Sequence, residues 1–253
     1  LKSLAIVSDK IFLGKKFIHG CSCLSFINIK SCKDITILPE AFEGCSSLKT
    51  IRFSTKSNLR LADGCLNDAT NLESIEINAQ NLLAGTNCFK NCKSVNSITL
   101  DVGNNVSFDS NMFSDCESLR SLSLTSENDI LLSAPTFSGA KNLQVISLSG
   151  HKVDILEGCF TQCESLALLT IYQSVEVHLH KKQFKSPNNL QNVFIESKGS
   201  KSKIIIEDEC FSSMNKLTEF RIIGGKIHMH ENVFKELNNT KSLKMFSISE
   251  NID

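Results

Sequence analysis

The sequence predicts a repeat solenoid, mainly β, of about ten repeats of 23–24 residues. Three observations predict it: a large apolar residue returns at a nearly fixed spacing, two short alternating apolar segments recur in each repeat, and the joining stretches are rich in Ser, Asn, Asp and Gly. The recurring position holds Ile18, Phe42, Leu66, Phe89, Phe113, Phe137, Phe160, Phe184, Phe211 and Phe234, with successive gaps of 24, 24, 23, 24, 24, 23, 24, 27 and 23 residues. A fixed period in this range marks stacked repeats. No single repeat can bury its own apolar face, so neighbours must stack into one continuous core.

Within one repeat the order is Phe, two residues, Cys or a small residue, two residues, Leu, two residues, Ile, one residue, Ile. Phe42, Cys45, Leu48, Ile51 and Phe53 give it once; Phe113, Cys116, Leu119, Leu122 and Leu124 give it again, as do Phe160, Cys163, Leu166, Leu169 and Ile171. The alternation at the end predicts a short strand with one face inward. Each strand should lie beside its equivalent in the next repeat, forming a parallel sheet that advances ~4.8 Å per repeat. A second extended segment precedes the Phe, with apolar residues seven and five positions before it, as in Ile35 and Ile37, Val106 and Phe108, Val153 and Ile155, Val177 and Leu179, Ile204 and Ile206, and Ile227 and Met229. The Phe should sit in a tight turn, one helical or 3₁₀ turn, pointing inward. Linkers such as Ser126 to Asp129 and Asp101 to Asn105 carry turn-forming residues.

The length of 253 residues would allow two domains, but the unbroken repeat predicts one elongated domain over residues 1–253. Lys plus Arg equals Asp plus Glu, 27 each, which removes the electrostatic case for nucleic acid or an anionic membrane. No apolar run approaches ~18 residues, so no transmembrane segment is read, and the chain shows no basic-then-apolar leader at its start. Leu1, Leu4 and Ile6 match the last part of a repeat whose first half is absent, and Leu243, Phe246 and Ile248 complete a repeat near the other end. Solenoid ends need polar caps, and neither is visible. We therefore expect a segment of a longer protein whose own termini carry a secretion signal or an anchor.

The eleven cysteines fall largely into two columns. Cys45, Cys92, Cys116 and Cys163 lie three residues after the Phe position, where Ala69 and Ala140 stand in other repeats. Cys65, Cys88, Cys159 and Cys210 lie just before it. Unpaired Cys packs as a small hydrophobe, so the first column reads as a ladder of buried free thiols with no hydrogen-bond partner. Cys88 with Cys92, and Cys159 with Cys163, are spaced to bridge if the turn permits, whereas the odd total excludes full pairing. Cys21 and Cys23 stand too close together for a zinc finger.

Phe42-Glu-Gly-Cys45-Ser-Ser-Leu48-Lys-Thr-Ile51, preceded by Ile37-Leu-Pro-Glu-Ala41, resembles the BspA-type class of leucine-rich repeats. That class reads roughly Ala-Phe-x-x-Cys-x-x-Leu-x-x-Ile-x-Ile-Pro, and the resemblance covers essentially the whole chain. It implies a leucine-rich repeat with its parallel sheet on the concave face. It also implies a surface or secreted protein, of bacteria or parasitic protists, that binds host proteins or other cells. Most repeats here lack the class's Pro after the strand and Gly before the Phe, which bears on turn geometry.

Residues between the inward positions should face out from the sheet in three columns. The first runs through Thr50, Ser74, Ser97, Ser121, Val145, Leu168 and Asn192; the second through Arg52, Glu76, Thr99, Ser123, Ser147, Thr170 and Phe194; the third through Ser54, Asn78, Asp101, Thr125, Ser149, Tyr172 and Glu196. The middle repeats present mostly Ser and Thr. Val145, Leu168, Tyr172 and Phe194 would gather beyond them, and clustered apolar groups on a polar face are candidates for partner binding. The bland alternative is that such residues merely sit comfortably on a sheet.

Candidate metal ligands are few and weak: His178 and His180 hold the same offsets from Phe184 as His228 and His230 do from Phe234, and Glu207 shares the column of His180 and His230. Lys181, Lys182, Lys185, Lys198, Lys201 and Lys203 form a basic stretch around the longest repeat, a solvated loop on the plain reading and a contact for an acidic glycan on the sharper one. Asn105-Val-Ser107 and Asn238-Asn-Thr240 match the N-glycosylation acceptor pattern at a frequency close to chance. No Gly-x-Ser-x-Gly, phosphate-binding glycine loop or His-Glu-x-x-His occurs, so no catalytic residue and no cofactor is assigned. The expected function is a non-enzymatic protein-binding module at the cell surface or secreted, engaging a host protein, matrix or another cell. An intracellular, cytoplasmic scaffold or inhibitor is the alternative.

Overall fold

The structure is a computed structural model and describes residues 1–108, 111–133, 136–184, 189–212, 214–235, 237 and 244–250. Among them the strands are β1 (Ser3–Ser8), β2 (Ile11–Leu13), β3 (Phe26–Ser31), β4 (Ile35–Ile37), β5 (Thr50–Leu61), β6 (Ser74–Ala84) and β7 (Ser97–Val102). Then come β8 (Val106–Ser107), β9 (Ser121–Ser126), β10 (Asp129–Leu132), β11 (Val145–Ser149), β12 (Lys152–Ile155) and β13 (Leu168–Ser174). The series ends with β14 (Glu176–Leu179), β15 (Asn192–Ser197), β16 (Lys203–Ile206), β17 (Glu219–Gly224), β18 (Lys226–Met229) and β19 (Met245–Glu250). The described residues include no helix, so where the segment around the Phe position is described it is a turn or an isolated bridge rather than a helical turn.

The chain is a parallel β-solenoid of about ten turns. A long sheet runs β1-β3-β5-β6-β7-β9-β11-β13-β15-β17-β19, and a short sheet runs β18-β16-β14-β12-β10-β8. Residue-for-residue register aligns Ile27, Ile51, Ile75, Ile98, Leu122, Ile146, Leu169, Val193 and Phe220 along the inner side of the long sheet. Near the start, β5 and β6 continue through the corner and pair again on the second side, Leu59 with Leu82, after a register shift between Thr55 and Asn58.

The Phe column forms the spine of the core. Rings of Phe89, Phe113, Phe137, Phe160, Phe184, Phe211 and Phe234 follow one another at centroid separations of 5.6, 6.0, 5.9, 5.8, 5.8 and 6.1 Å. Offset stacking at this spacing adds ~0.5–1.5 kcal/mol per pair to simple burial. The backbone ties the same corner together: Phe113 N–H donates to Thr136 O at 3.2 Å, and Phe160 N–H to Gln183 O at 3.1 Å.

Most described turns keep a left-handed residue two before or two after the Phe position even where glycine is missing; Gln162 and Asn232 are exceptions. Lys16, Glu40, Asn87, Asn111, Lys182 and Glu209 have positive φ before it; Asp68, Asn91 and Asp115 have it after. Asn and Asp tolerate this conformation best, and Lys or Glu at a cost of ~1–2 kcal/mol. Gly44 has a second reason to be glycine, since a Cβ there would lie 3.1 Å from the Gly20 backbone.

The opposite corner is held by polar side chains that read in sequence as ordinary turn formers. Asn58 Nδ2 donates to Asp34 Oδ1 (2.7 Å), Asn81 to Asn58 Oδ1 (3.0 Å), Asn104 to Asn81 Oδ1 (2.6 Å) and Asn128 to Asn104 Oδ1 (3.1 Å), an amide ladder through successive repeats. Hydrogen bonds from Asn58 and Ser57 hold the Asp34 carboxyl below the usual range. Buried hydroxyls satisfy the bending backbone beside it, as where Ser126 Oγ donates to Asn104 O at 2.8 Å.

Candidate functional site

The outer face of the long sheet changes character along the solenoid. In the early repeats Arg52 donates to both carboxylate oxygens of Glu76, at 2.7 and 3.0 Å, and lies 5.5 Å above the ring of Phe26. Asn78 donates to Asp101 at 2.7 Å. These charges are spent on one another. The middle repeats offer Ser97, Thr99, Ser121, Ser123 and Ser147, all small and polar.

Beyond them the face turns apolar. Val145 stands directly opposite Leu168, and Thr170, two residues on, stands opposite Phe194. Tyr172 is opposite Glu196, and a β-bulge follows it, with Gln173 at φ 58°. All four apolar residues are half-buried, while Glu196 and Arg221 beside them are exposed. At a strand spacing of ~4.8 Å, Phe194 projects between Leu168 and Tyr172. The structure thus brings the four predicted residues to one region of one face, with a charged rim. Alternation fails once in the third column: Ser149 is only 6% exposed, although it still pairs with Thr125 of β9, while the pairing of β11 with β13 stops at Leu148 and Ile171.

The histidines divide into two unequal pairs. On the outer side of the short sheet, His178 Nε2 lies 2.9 Å from Glu207 Oε1, His180 Nδ1 lies 3.2 Å from the same oxygen, and His180 Nε2 lies 3.0 Å from Asp154 Oδ1. Burial raises the Glu207 carboxyl, but the hydrogen bond from His178, the charge of His180 and the Lys181 amide together bring it below its ordinary value. His228 and His230 are exposed and stand apart; His230 faces Asp208 at 3.8 Å, and Ile205 fills the strand position between His178 and His228. Sequence reasoning missed Asp154, though it lies six residues before Phe160 just as His178 lies six before Phe184.

Cys45, Cys92, Cys116 and Cys163 are buried free thiols. Cys45, Cys92 and Cys116 have backbone partners, which corrects the expectation of an apolar column without hydrogen bonds at those three positions. Cys45 Sγ donates to Ile18 O (3.2 Å), Cys92 to Leu66 O (3.3 Å) and Cys116 to Phe89 O (3.3 Å), each the carbonyl of the Phe-position residue one repeat earlier. Burial pushes the Cys116 and Cys163 thiols up to about 12. In the second column the closest approach is Cys65 to Cys88, 3.9 Å between sulfurs.

The three-residue insertion of the longest repeat closes on itself: Ser202 is buried and bonds both Ser197 Oγ (2.8 Å) and Gly199 O (2.6 Å), leaving Lys198 and Lys201 exposed. Lys185 and the Asn238-Asn-Thr240 acceptor lie outside the described residues. Asn105 of the other acceptor is exposed, and its side-chain oxygen accepts from Asp129 N–H at 3.1 Å. No helix among the described residues is long and apolar enough to cross a membrane.

Comparison with known proteins bears on this architecture directly. The pattern of the BspA type leucine rich repeat region matches residues 11–134 and 130–253. A leucine-rich repeat protein from Bacteroides ovatus, known as a crystal structure, aligns over 98% of this chain and 84% of that chain at 14% identity and a TM-score of 0.24, a likeness too slight to build on. No curated protein matches the sequence. With its pattern matched from Ile11 to the last residue, the chain belongs to the BspA-type leucine-rich repeat family.

Proposed function

We propose that this chain is a non-enzymatic protein-binding module that engages its partner through the outer face of the long sheet. It acts at the cell surface or after secretion, on a host protein, matrix or another cell. One observation carries the reading: Val145, Leu168, Tyr172 and Phe194 gather, half-exposed, beyond middle repeats whose outer positions are mostly Ser and Thr. Large apolar side chains inside a polar rim are the composition of an interface centre. Family membership supports a repeat protein suited to binding other proteins. A photocrosslinking residue placed at Tyr172, with Ser123 as the control position, tests the reading against extracellular matrix and intact cells. A protein adduct from position 172 and none from 123 is expected; equal labelling from both overturns it.

Eleven free thiols favour a second reading, an intracellular scaffold or inhibitor, because reducing compartments keep thiols unpaired. Fractionation of cells that express the native protein separates the two.

A further inference from the structure

The short sheet carries a second constellation on its outer side. Asp154 on β12 is in register with His178 on β14. His180 follows two residues later, and Glu207 extends the register of β16 to stand beside it. The inward residues of these strands, Val153, Ile155, Val177, Leu179, Ile204 and Ile206, fix the backbone in the core. The polar side chains are therefore displayed on a rigid support. They are only 20–27% exposed, and the two imidazoles stack at 3.9 Å.

We propose that Asp154, His178 and His180 form a binding site for a divalent transition metal, best matched by zinc, with Glu207 as the carboxylate that orients both rings. A ligand atom from each of the three residues lies within 4.8 Å of the others. Zinc bonds of ~2.0–2.2 Å require ligand atoms ~3.3 Å apart, so the Asp154–His180 edge of 3.0 Å already has the needed length.

Hydrogen-bond counting points the same way. A neutral imidazole has one N–H and one acceptor nitrogen. His180 places both nitrogens against carboxylate oxygens, so one contact sets acceptor against acceptor unless the ring carries a second proton or a cation lies between. Glu207 takes one nitrogen of each ring, which is how metal-bound histidines are oriented. Each carboxylate is also anchored by its far oxygen: Lys152 lies 3.6 Å from Asp154 Oδ2, and Lys181 N–H donates to Glu207 Oε2 at 3.2 Å. Gln183, itself buried, donates to the His180 carbonyl at 3.0 Å.

The test is calorimetric titration of Zn²⁺ into the full chain after chelator treatment. One Zn²⁺ per chain is expected, weakened about 10–100-fold by Glu207→Gln and by more in Asp154→Asn or His180→Ala. His228→Ala with His230→Ala should leave it unchanged. Asp154→Asn preserves shape, so it stands in if His180→Ala misfolds. Co²⁺ in place of Zn²⁺ should give d–d bands without a thiolate charge-transfer band, which separates this site from the cysteines. No binding in large Zn²⁺ excess means that a second proton on the ring satisfies these contacts, and it overturns the proposal. So does undiminished binding in both variants, or a thiolate band.

Discussion

On the long sheet Ile146 and Leu169 point inward while Val145 and Leu168 point out; on the short sheet Val153 and Val177 point inward while Asp154 and His178 point out. The inner sides are interchangeable aliphatic ladders that fill one core. The outer sides differ in kind, apolar with a charged rim on one and histidine–carboxylate on the other. The core therefore constrains every second residue and leaves the alternate ones free to differ. Within the long sheet the same freedom separates Arg52–Glu76, a self-satisfied ion pair, from the apolar group of later repeats.

That division can be broken by exchanging inward and outward losses. Phe113 lies between Phe89 and Phe137 and meets Phe108 edge-on at 5.4 Å, so Phe113→Ala should cost about 3–5 kcal/mol. Phe194→Ala, the same truncation on the outer face, should cost well under half as much. Denaturant unfolding of both variants makes the comparison, and equal losses would mean that Phe194 is core.

The Cys column sharpens it. Because the Cys116 thiol already donates to Phe89 O, a serine hydroxyl there inherits a partner, and Cys116→Ser should cost about 1 kcal/mol rather than the larger penalty of an orphaned hydroxyl. With its thiol pushed up to about 12 by burial, Cys116 should resist alkylation at pH 8 until the chain unfolds, whereas exposed Cys23 and Cys32 react at once. Mass-resolved thiol labelling reads both.

The smallest effect concerns the start of the amide ladder. The folded Asp34 carboxyl lies below its unfolded value of ~3.9, so its stabilisation is present above that pH and is lost as pH falls through the folded value. Melting temperature followed from pH 5 to pH 2 should fall slightly more steeply for the parent than for Asp34→Asn.

The period, both apolar segments and the outward columns were legible because each repeat states the same inward positions, so alternation assigns the rest. What escaped had other causes. The Asn58–Asn81–Asn104–Asn128 ladder recurs in step with the repeat, yet Asn in a linker reads as a turn former until the turns are stacked. The partner of Cys116 is a backbone carbonyl, which no side-chain pattern reveals. Ser149 departs from alternation at the last residue of its strand, where pairing continues with β9 but not with β13. Asp154 escaped because a lone Asp on a polar strand position carries no metal signature until the register of β12 with β14 sets it beside His178.

The most direct test of the proposed role of the outer face is binding by the Tyr172→Ala, Phe194→Ala double variant to the protein crosslinked from position 172. Surface calorimetry or biolayer interferometry against the parent chain should show a loss of about 2 kcal/mol or more, with an unchanged unfolding midpoint. Equal binding by variant and parent would contradict the assignment of this face as the recognition surface.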